Sequence, residues 1–204
     1  MGFYSRVIFP RLLDWSMSGE AFAMHRQALL KEVTGNVLEI GFGTGLNLAY
    51  YPDAVQQLTI VDPNPGVNAI AQKRIQASSK QVQSYRVSGE SLPMADETFD
   101  SVVSTWTLCS IPQVDQALAE VARVLKPGGR FFFVEHGLSP EGGVQAWQNR
   151  LTPVQKVIAD GCHLNRPIQA LVEQHLKILK LDTFYEPGFP KVASYFYQGV
   201  AEKP

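Results

Sequence analysis

Residues Val37–Leu48 read VLEIGFGTGLNL. A short apolar run carries one acid, Glu39, and then meets glycines at alternate positions: Gly41, Gly43 and Gly45. Val37–Ile40 is short, rich in branched side chains and bounded by glycine, the pattern of a buried parallel strand. The glycines let the backbone turn sharply and approach a ligand with no Cβ in the way. Leu46–Tyr50 then opens a helix, whose N-terminal amides face the crevice beyond the strand's C-terminal end. That geometry makes a nucleotide-type site. The spacing departs from the dinucleotide fingerprint G-x-G-x-x-G: Leu46 holds the sixth position, and the third glycine comes one residue early.

Outward from this stretch, strand and helix patterns alternate, which predicts a parallel α/β sheet. Strands are expected over Leu58–Val61, Val82–Val87, Phe99–Ser104 and Arg130–Glu135. Leu12–Glu32 reads as one or two helices, and Gly66–Ser78 as another, with Pro65 suited to its first turn. Gln113–Leu125 carries Val114, Ala117, Leu118, Val121 and Val124 at helical spacing, the mark of an amphipathic helix. Lys126–Gly129 (KPGG) is a turn, because proline stops a helix and glycine takes positive φ. Val144–Asp160 and Pro167–His175 read as helices. Lys177–Phe184 and Ala193–Val200 read as an antiparallel strand pair at the sheet edge.

The 204 residues suit one domain, 1–204, long enough to bury a sizeable core. A net charge of −1 gives no electrostatic footprint for nucleic acid. Cys109 and Cys162 are too few and too separated in sequence to suggest a disulfide scaffold or a metal site, and a reducing, cytoplasmic setting fits them. No apolar run approaches the roughly 20 residues that span a bilayer. The first residues, MGFYSRVIFPRLLDW, hold Arg6, Arg11 and Asp14 within an apolar stretch, so they do not form a signal peptide. This amphipathic segment reads as a helix packing over the site or core, with a peripheral membrane contact as the alternative.

Asp62 follows the second predicted strand, about 20 positions after Gly41, in an Asp62-Pro63 step. A carboxylate there accepts charge-assisted hydrogen bonds from two ribose hydroxyls. Gly89-Glu90-Ser91-Leu92-Pro93 follows the third strand, and Phe99-Asp100 opens the fourth. The order of these motifs, closed by the amphipathic helix and KPGG, resembles class I S-adenosylmethionine (SAM) methyltransferases of the ubiquinone-biosynthesis type, from about Gly35 to Val134. The resemblance implies a Rossmann-like, mostly parallel seven-stranded sheet of order 3-2-1-4-5-7-6, strand 7 antiparallel, with helices on both faces. It implies SAM as cofactor and S-adenosylhomocysteine as product. By position, Glu39, Gly41, Gly43 and Gly45 would hold the methionine moiety, Asp62 the ribose, and Gly89, Glu90 and Ser91 the adenine. Pro63 and Asn64 would line the adenine side, and Thr105, Trp106 and Leu108 the methionine arm and the methyl group.

Three further segments, Trp106–Pro112 (WTLCSIP), Val134–His136 (VEH) and Asp160–Arg166 (DGCHLNR), resemble a narrower group. It includes bacterial small-molecule methyltransferases and the animal methyltransferase-like thiol methyltransferases. The animal members carry an N-terminal membrane anchor, which this sequence is read as lacking. The group implies a small thiol or a related soft nucleophile as acceptor. Thiols, with pKa near 8.5, supply thiolate at neutral pH without a strong base. His136, His163 and Trp106 are the candidate catalytic residues, with Arg166 near His163, and no metal is expected. Tyr4 and Arg11 belong to an N-terminal lid, residues 1–32, and residues 137–175 form a helical insertion on the substrate side.

The alternatives are a quinone-precursor C-methyltransferase, a phospholipid N-methyltransferase and a natural-product O-methyltransferase. Outside that class stand a nicotinamide oxidoreductase, disfavoured by Leu46 and the motif order, and a non-catalytic SAM-binding module. A protein or nucleic-acid acceptor is disfavoured by the near-zero charge and by Ser104-Thr105-Trp106-Thr107 after the fourth strand.

Overall fold

The computed structural model describes Gly2–Pro204; Met1, the first residue of the expected lid, lies outside the described residues. The strands are β1 (Val37–Ile40), β2 (Gln57–Val61), β3 (Gln81–Tyr85), β4 (Phe99–Thr105), β5 (Leu125–His136), β6 (Lys177–Tyr185) and β7 (Tyr195–Glu202). They form one sheet of order β3-β2-β1-β4-β5-β7-β6, with β7 antiparallel to both neighbours and the first five strands parallel. Chain reversal therefore puts the loops after β1, β2, β4 and β5 on one edge of the sheet, where α/β sheets bind ligands.

The helices are α1 (Phe9–Met17), α2 (Glu20–Leu30), α3 (Pro65–Ala77), α4 (Val114–Val124), α5 (Gly142–Ile158) and α6 (Ile168–Glu173). A wide helical turn, Tyr4–Ile8, precedes α1. Alternation along each strand feeds two cores. Leu38, Ile40, Val102, Phe131 and Phe133 pack under α4 and α6, against Leu118, Val121, Ile168 and Val172. Val37, Val103, Phe132 and Val134 face the other way, toward Leu29 and Leu30 of α2 and Ala71 of α3. Both faces of the central strands are thus buried, as a doubly covered parallel sheet requires.

Two expectations are corrected. Leu46–Tyr50 opens no full helix: one 3-10 turn, Leu46–Ala49, follows Gly45 at φ 83°. Pro52 stops it, since the residue before a proline is pushed out of the helical region. KPGG is not a separate turn ahead of the fifth strand. It lies within β5 as an irregularity, with Gly128 at φ 73° and the register with β4 shifting between Phe99 and Ser101. The last two strands form the expected antiparallel pair on one side of the sheet, with β6 at the edge and the nearly continuously buried β7 between β5 and β6.

Phe133 is fully buried and stacks on Phe131 at 5.4 Å between ring centroids. Truncation there leaves a large cavity, so Phe133→Ala should cost about 3–5 kcal/mol. Urea unfolding checks this, and a loss below 1 kcal/mol would show that the sheet is not the core.

Candidate functional site

The loop after β1 is built around a buried carboxylate. Glu39 is 1% exposed, and its two oxygens accept from Asn47 Nδ2 at 2.8 Å and Tyr51 OH at 2.6 Å. Asn47 also donates to Thr105 Oγ1 at 3.0 Å, tying the β1 loop to the end of β4, while its Oδ1 accepts from Arg26 Nε at 3.0 Å. Burial pushes the Glu39 carboxyl up to about 8, against the pull of Tyr51, Asn47 and Arg26. Glu39 is therefore placed behind the loop and acts on the crevice through Asn47. Its sequence position gave no sign of Asn47, Tyr51 or Arg26 as partners.

Gly41, Gly43 and Gly45 all take positive φ. A Cβ on Gly41 would strike the Thr107 side chain at 2.1 Å, so the loops after β1 and β4 meet only over a bare backbone. A Cβ on Gly43 would meet nothing nearer than the loop's own Gly41 carbonyl at 3.9 Å, so that face is open to a ligand. Gly43 N donates to Asp62 Oδ2 at 2.9 Å and Asn64 N to Asp62 Oδ1 at 2.8 Å. Burial pushes Asp62 up and these two N–H groups pull it back. A carboxylate has about four acceptor sites, so these bonds leave room for two hydroxyls. Asn64 caps α3 by accepting from Gly66 N at 2.8 Å, and Pro63 joins it to Asp62.

The loop after β4 hangs from a second buried acid. Glu135, fully buried at the end of β5, accepts through Oε1 from Ser104 Oγ, Thr107 N and Leu108 N at 2.9–3.0 Å. Burial raises its carboxyl to about 8. Trp106, between these anchors, sits at φ 49°, and its indole N–H is buried without a partner among the described residues. Its ring meets Phe22 and Phe196 edge-on at 5.1 and 6.0 Å, with the Arg26 guanidinium 4.9 Å from its centroid. The VEH motif stood out in the sequence for its histidine; its glutamate is what holds the loop.

Residues Gly89–Ser91 flank the same edge. Gly89 is buried against Ile40, Glu90 Oε1 accepts from Gln113 N at 2.6 Å, and Ser91 is exposed. The expected lid lies across α3: Asn64 Nδ2 donates to the Ser5 carbonyl at 2.9 Å, Ser5 Oγ to Asp160 Oδ1 at 2.7 Å and Tyr4 OH to the Ile158 carbonyl at 2.6 Å. A Cβ on Gly66 would lie 2.1 Å from the Arg6 carbonyl, so only glycine admits this crossing.

His136 Nε2 lies 2.9 Å from Cys162 Sγ. Burial lowers the His136 pKa, but the adjacent Cys109 sulfur more than offsets it and the net direction is up. His163 turns away from His136: its Nδ1 meets the Cys109 carbonyl at 3.1 Å, and burial with the Arg166 cation lowers its pKa. Arg166 is a buried clamp that donates to the Leu108 and Ile111 carbonyls. Distance along the sequence does not keep the cysteines apart: Cys109, His136 and Cys162 put their ligand atoms within 4.8 Å of one another.

Fold and loops together define a Rossmann-like nucleotide-cofactor enzyme. Residues 38–133 match the family described as methyltransferase domain. The chain is 44% identical over 140 residues to thiol S-methyltransferase TMT1B of Rattus norvegicus, covering 66% of this chain and 56% of the relative. It thus spans little more than half the length of that relative. It is 30% identical to phosphatidylethanolamine N-methyltransferase of Cereibacter sphaeroides, over 76% of this chain and 75% of the relative. In fold it is similar to N-methyltransferase NodS of Bradyrhizobium japonicum, solved with S-adenosylhomocysteine (TM-score 0.69, 15% identity, 93% of this chain and 91% of that one). The chain belongs to the class I SAM-dependent methyltransferases. The cofactor of that family fits the residues present: the open face at Gly43, the spare acceptor sites of Asp62 and the orphan N–H of Trp106 all front one edge of the sheet.

A carboxyl whose folded pKa stands above its unfolded one stabilises the fold most when protonated in both states. For Glu39 that contribution is complete below its ordinary value of 4.5 and is lost as pH rises to about 8. Glu39→Gln keeps the shape without the titration. The wild-type urea midpoint should therefore fall more steeply than the variant's between pH 4.5 and pH 8; equal slopes would refute the assignment.

Proposed function

We propose that the chain transfers a methyl group from SAM to a small thiol. The observation that carries this reading is the aromatic wall of Trp106, Phe22 and Phe196 beside the glycine loop. It offers a soft nucleophile an apolar approach. Similarity to the thiol S-methyltransferases, 44% identity in the rat relative, favours sulfur over oxygen or carbon as the atom methylated. Bound SAM supplies an electrophilic methyl group on a sulfonium.

The chain's own residues then position and exclude. Asp62 accepts from the ribose hydroxyls. The Gly41–Gly45 backbone receives the methionine arm, with Glu39 acting through Asn47 and Thr105 beside it. Pro63, Asn64, Gly89, Glu90 and Ser91 border the adenine. Trp106 and Leu108 front the methyl, and Tyr4 with the segment 1–32 closes over the cofactor. In-line displacement needs reacting atoms about 3–3.5 Å apart, so most of the rate comes from this placement. A thiol near pKa 8.5 already supplies thiolate at neutral pH, so His136 and His163 tune the pocket rather than act as an essential base.

The N-terminal segment also suits a membrane surface. Trp15 is 79% exposed and Phe3 73%, while Val157, at the end of α5, is 74% exposed. The Tyr4–Ile158 bond ties these two segments together. Among the described residues no helix is long and apolar enough to cross a bilayer, so the contact would be peripheral.

Incubation with methyl-labelled SAM and a panel of thiols, quinols, phenols and amines tests the reading. Labelled thioether and S-adenosylhomocysteine are expected from thiols. Asp62→Ala should weaken SAM binding by about 1.5–3 kcal/mol, the range for hydrogen bonds to a charged group, roughly ten- to a hundredfold. His136→Ala should lower the thiol rate only modestly; collapse of the rate, or product from phenols alone, would sink the thiol assignment. Trp15→Ala should weaken co-sedimentation with vesicles, and unchanged binding would remove the membrane contact.

A further inference from the structure

We propose that Cys109, His136 and Cys162 form a binding site for a soft divalent cation of the zinc class. The site shares the loop after β4 with residues assigned to the methyl, and it does not depend on which acceptor is methylated. Its donors come from three segments: the loop after β4, the end of β5 and the turn after α5. Two thiols and one imidazole are the donor set that zinc prefers among divalent ions. All pairs of ligand atoms lie within 4.8 Å. Tetrahedral bonds of about 2.3 Å to sulfur and about 2.0 Å to nitrogen put such atoms roughly 3.5–3.8 Å apart. The 2.9 Å between His136 Nε2 and Cys162 Sγ is a contact that a lone pair and a sulfur share only through a proton or a cation. Exchange of that proton for a cation needs this pair to open by roughly 0.6 Å and any pair at the 4.8 Å limit to close by about 1 Å.

The backbone around the cluster is fixed as a ligand site needs. His163 N donates to the Cys109 carbonyl at 2.9 Å, joining the turn after α5 to the loop after β4. The Arg166 guanidinium grips the Leu108 and Ile111 carbonyls on both sides of Cys109. Asp160 and Gly161 both adopt positive φ, 47° and 101°, in the turn that delivers Cys162. For the aspartate this is strain, and strained backbone persists where surrounding structure holds it for a purpose. Cys109 and Cys162 are both buried, so the thiols are shielded from bulk solvent. Three protein ligands leave a fourth position for water or an exogenous thiolate, the arrangement of an open rather than a closed zinc site.

Cobalt(II) alone is the probe. The full chain, kept reduced and freed of metal by dialysis against a chelator, is titrated with Co2+. One equivalent should produce strong visible ligand-field bands of a tetrahedral ion together with a near-ultraviolet sulfur-to-cobalt band. Zn2+ should bleach both and raise the Tm of the wild-type chain. Cys162→Ser should lose most of the sulfur-to-cobalt intensity, and His136→Ala the tetrahedral bands, in variants that still unfold cooperatively. Cys109→Ser provides a second sulfur deletion should Cys162→Ser fail to fold. A folded wild-type chain that develops no bands, or bands that survive loss of either sulfur, would overturn the site.

Discussion

Parallel strands deliver their loops to one edge of the sheet, and the polar backbone of those loops has to be satisfied there without water. In this protein three buried carboxylates do that. Glu39 holds the loop after its own strand through Asn47 and Tyr51. Asp62 binds the amides of Gly43 and Asn64, joining the ends of β1 and β2. Glu135 binds the amides of Thr107 and Leu108 from across the sheet. The loops after β1, β2 and β4 are thereby hung from acids at strand ends. The shape of the crevice follows from those acids before any ligand enters.

The arrangement carries a cost that bears on function. Burying a carboxyl is unfavourable unless its hydrogen bonds are made, and Glu39 and Glu135 are both driven toward the protonated form. Among the described residues Glu135 Oε2 has no partner, and Trp106 is held with positive φ and an indole N–H that is likewise unpaired. These penalties cluster at one loop, the one that faces the expected methyl-transfer centre. Strain of this kind is tolerated where preorganisation is worth more than stability. The aromatic contacts of Trp106 with Phe22 and Phe196 offset part of the cost.

The alternation of strand and helix was legible because it rests on local signals, branched strands, glycine ends and one amphipathic helix, whereas the order of the strands followed from the family resemblance. Asp62 and the glycines were legible for the same reason, since their backbone duties are set by neighbours in sequence. The 3-10 turn after Gly45 was missed because helix-forming residues at Leu46–Tyr50 say nothing of Pro52 and of an Asn47 side chain committed elsewhere. Arg26, Tyr51 and Glu135 were missed for a different reason. Each is defined by a partner far along the chain, and one sequence does not report pairing at a distance. The cysteines are the plainest case: α5 and its left-handed exit turn bring Cys162 beside Cys109, although the two look isolated in sequence.

The N-terminal segment packs on α3 and the end of α5, beside Asp62 and Asn64. The crossing over Gly66 is held mainly by polar bonds, Ser5 to Asp160, Asn64 to Ser5, Tyr4 to Ile158 and the Asp14–Arg74 ion pair, with little buried apolar surface, since Phe3, Ile8, Leu12 and Trp15 remain exposed. Regions with few buried apolar contacts open at a free energy far below that of global unfolding. Opening of residues 3–17 is therefore expected to leave the sheet intact, since its strands are tied by their buried acids. Asn64 links the two behaviours, because the same side chain caps α3 and bonds the Ser5 carbonyl. That one amide thus joins the N-terminal segment to the end of β2, where Asp62 bonds the Asn64 N–H.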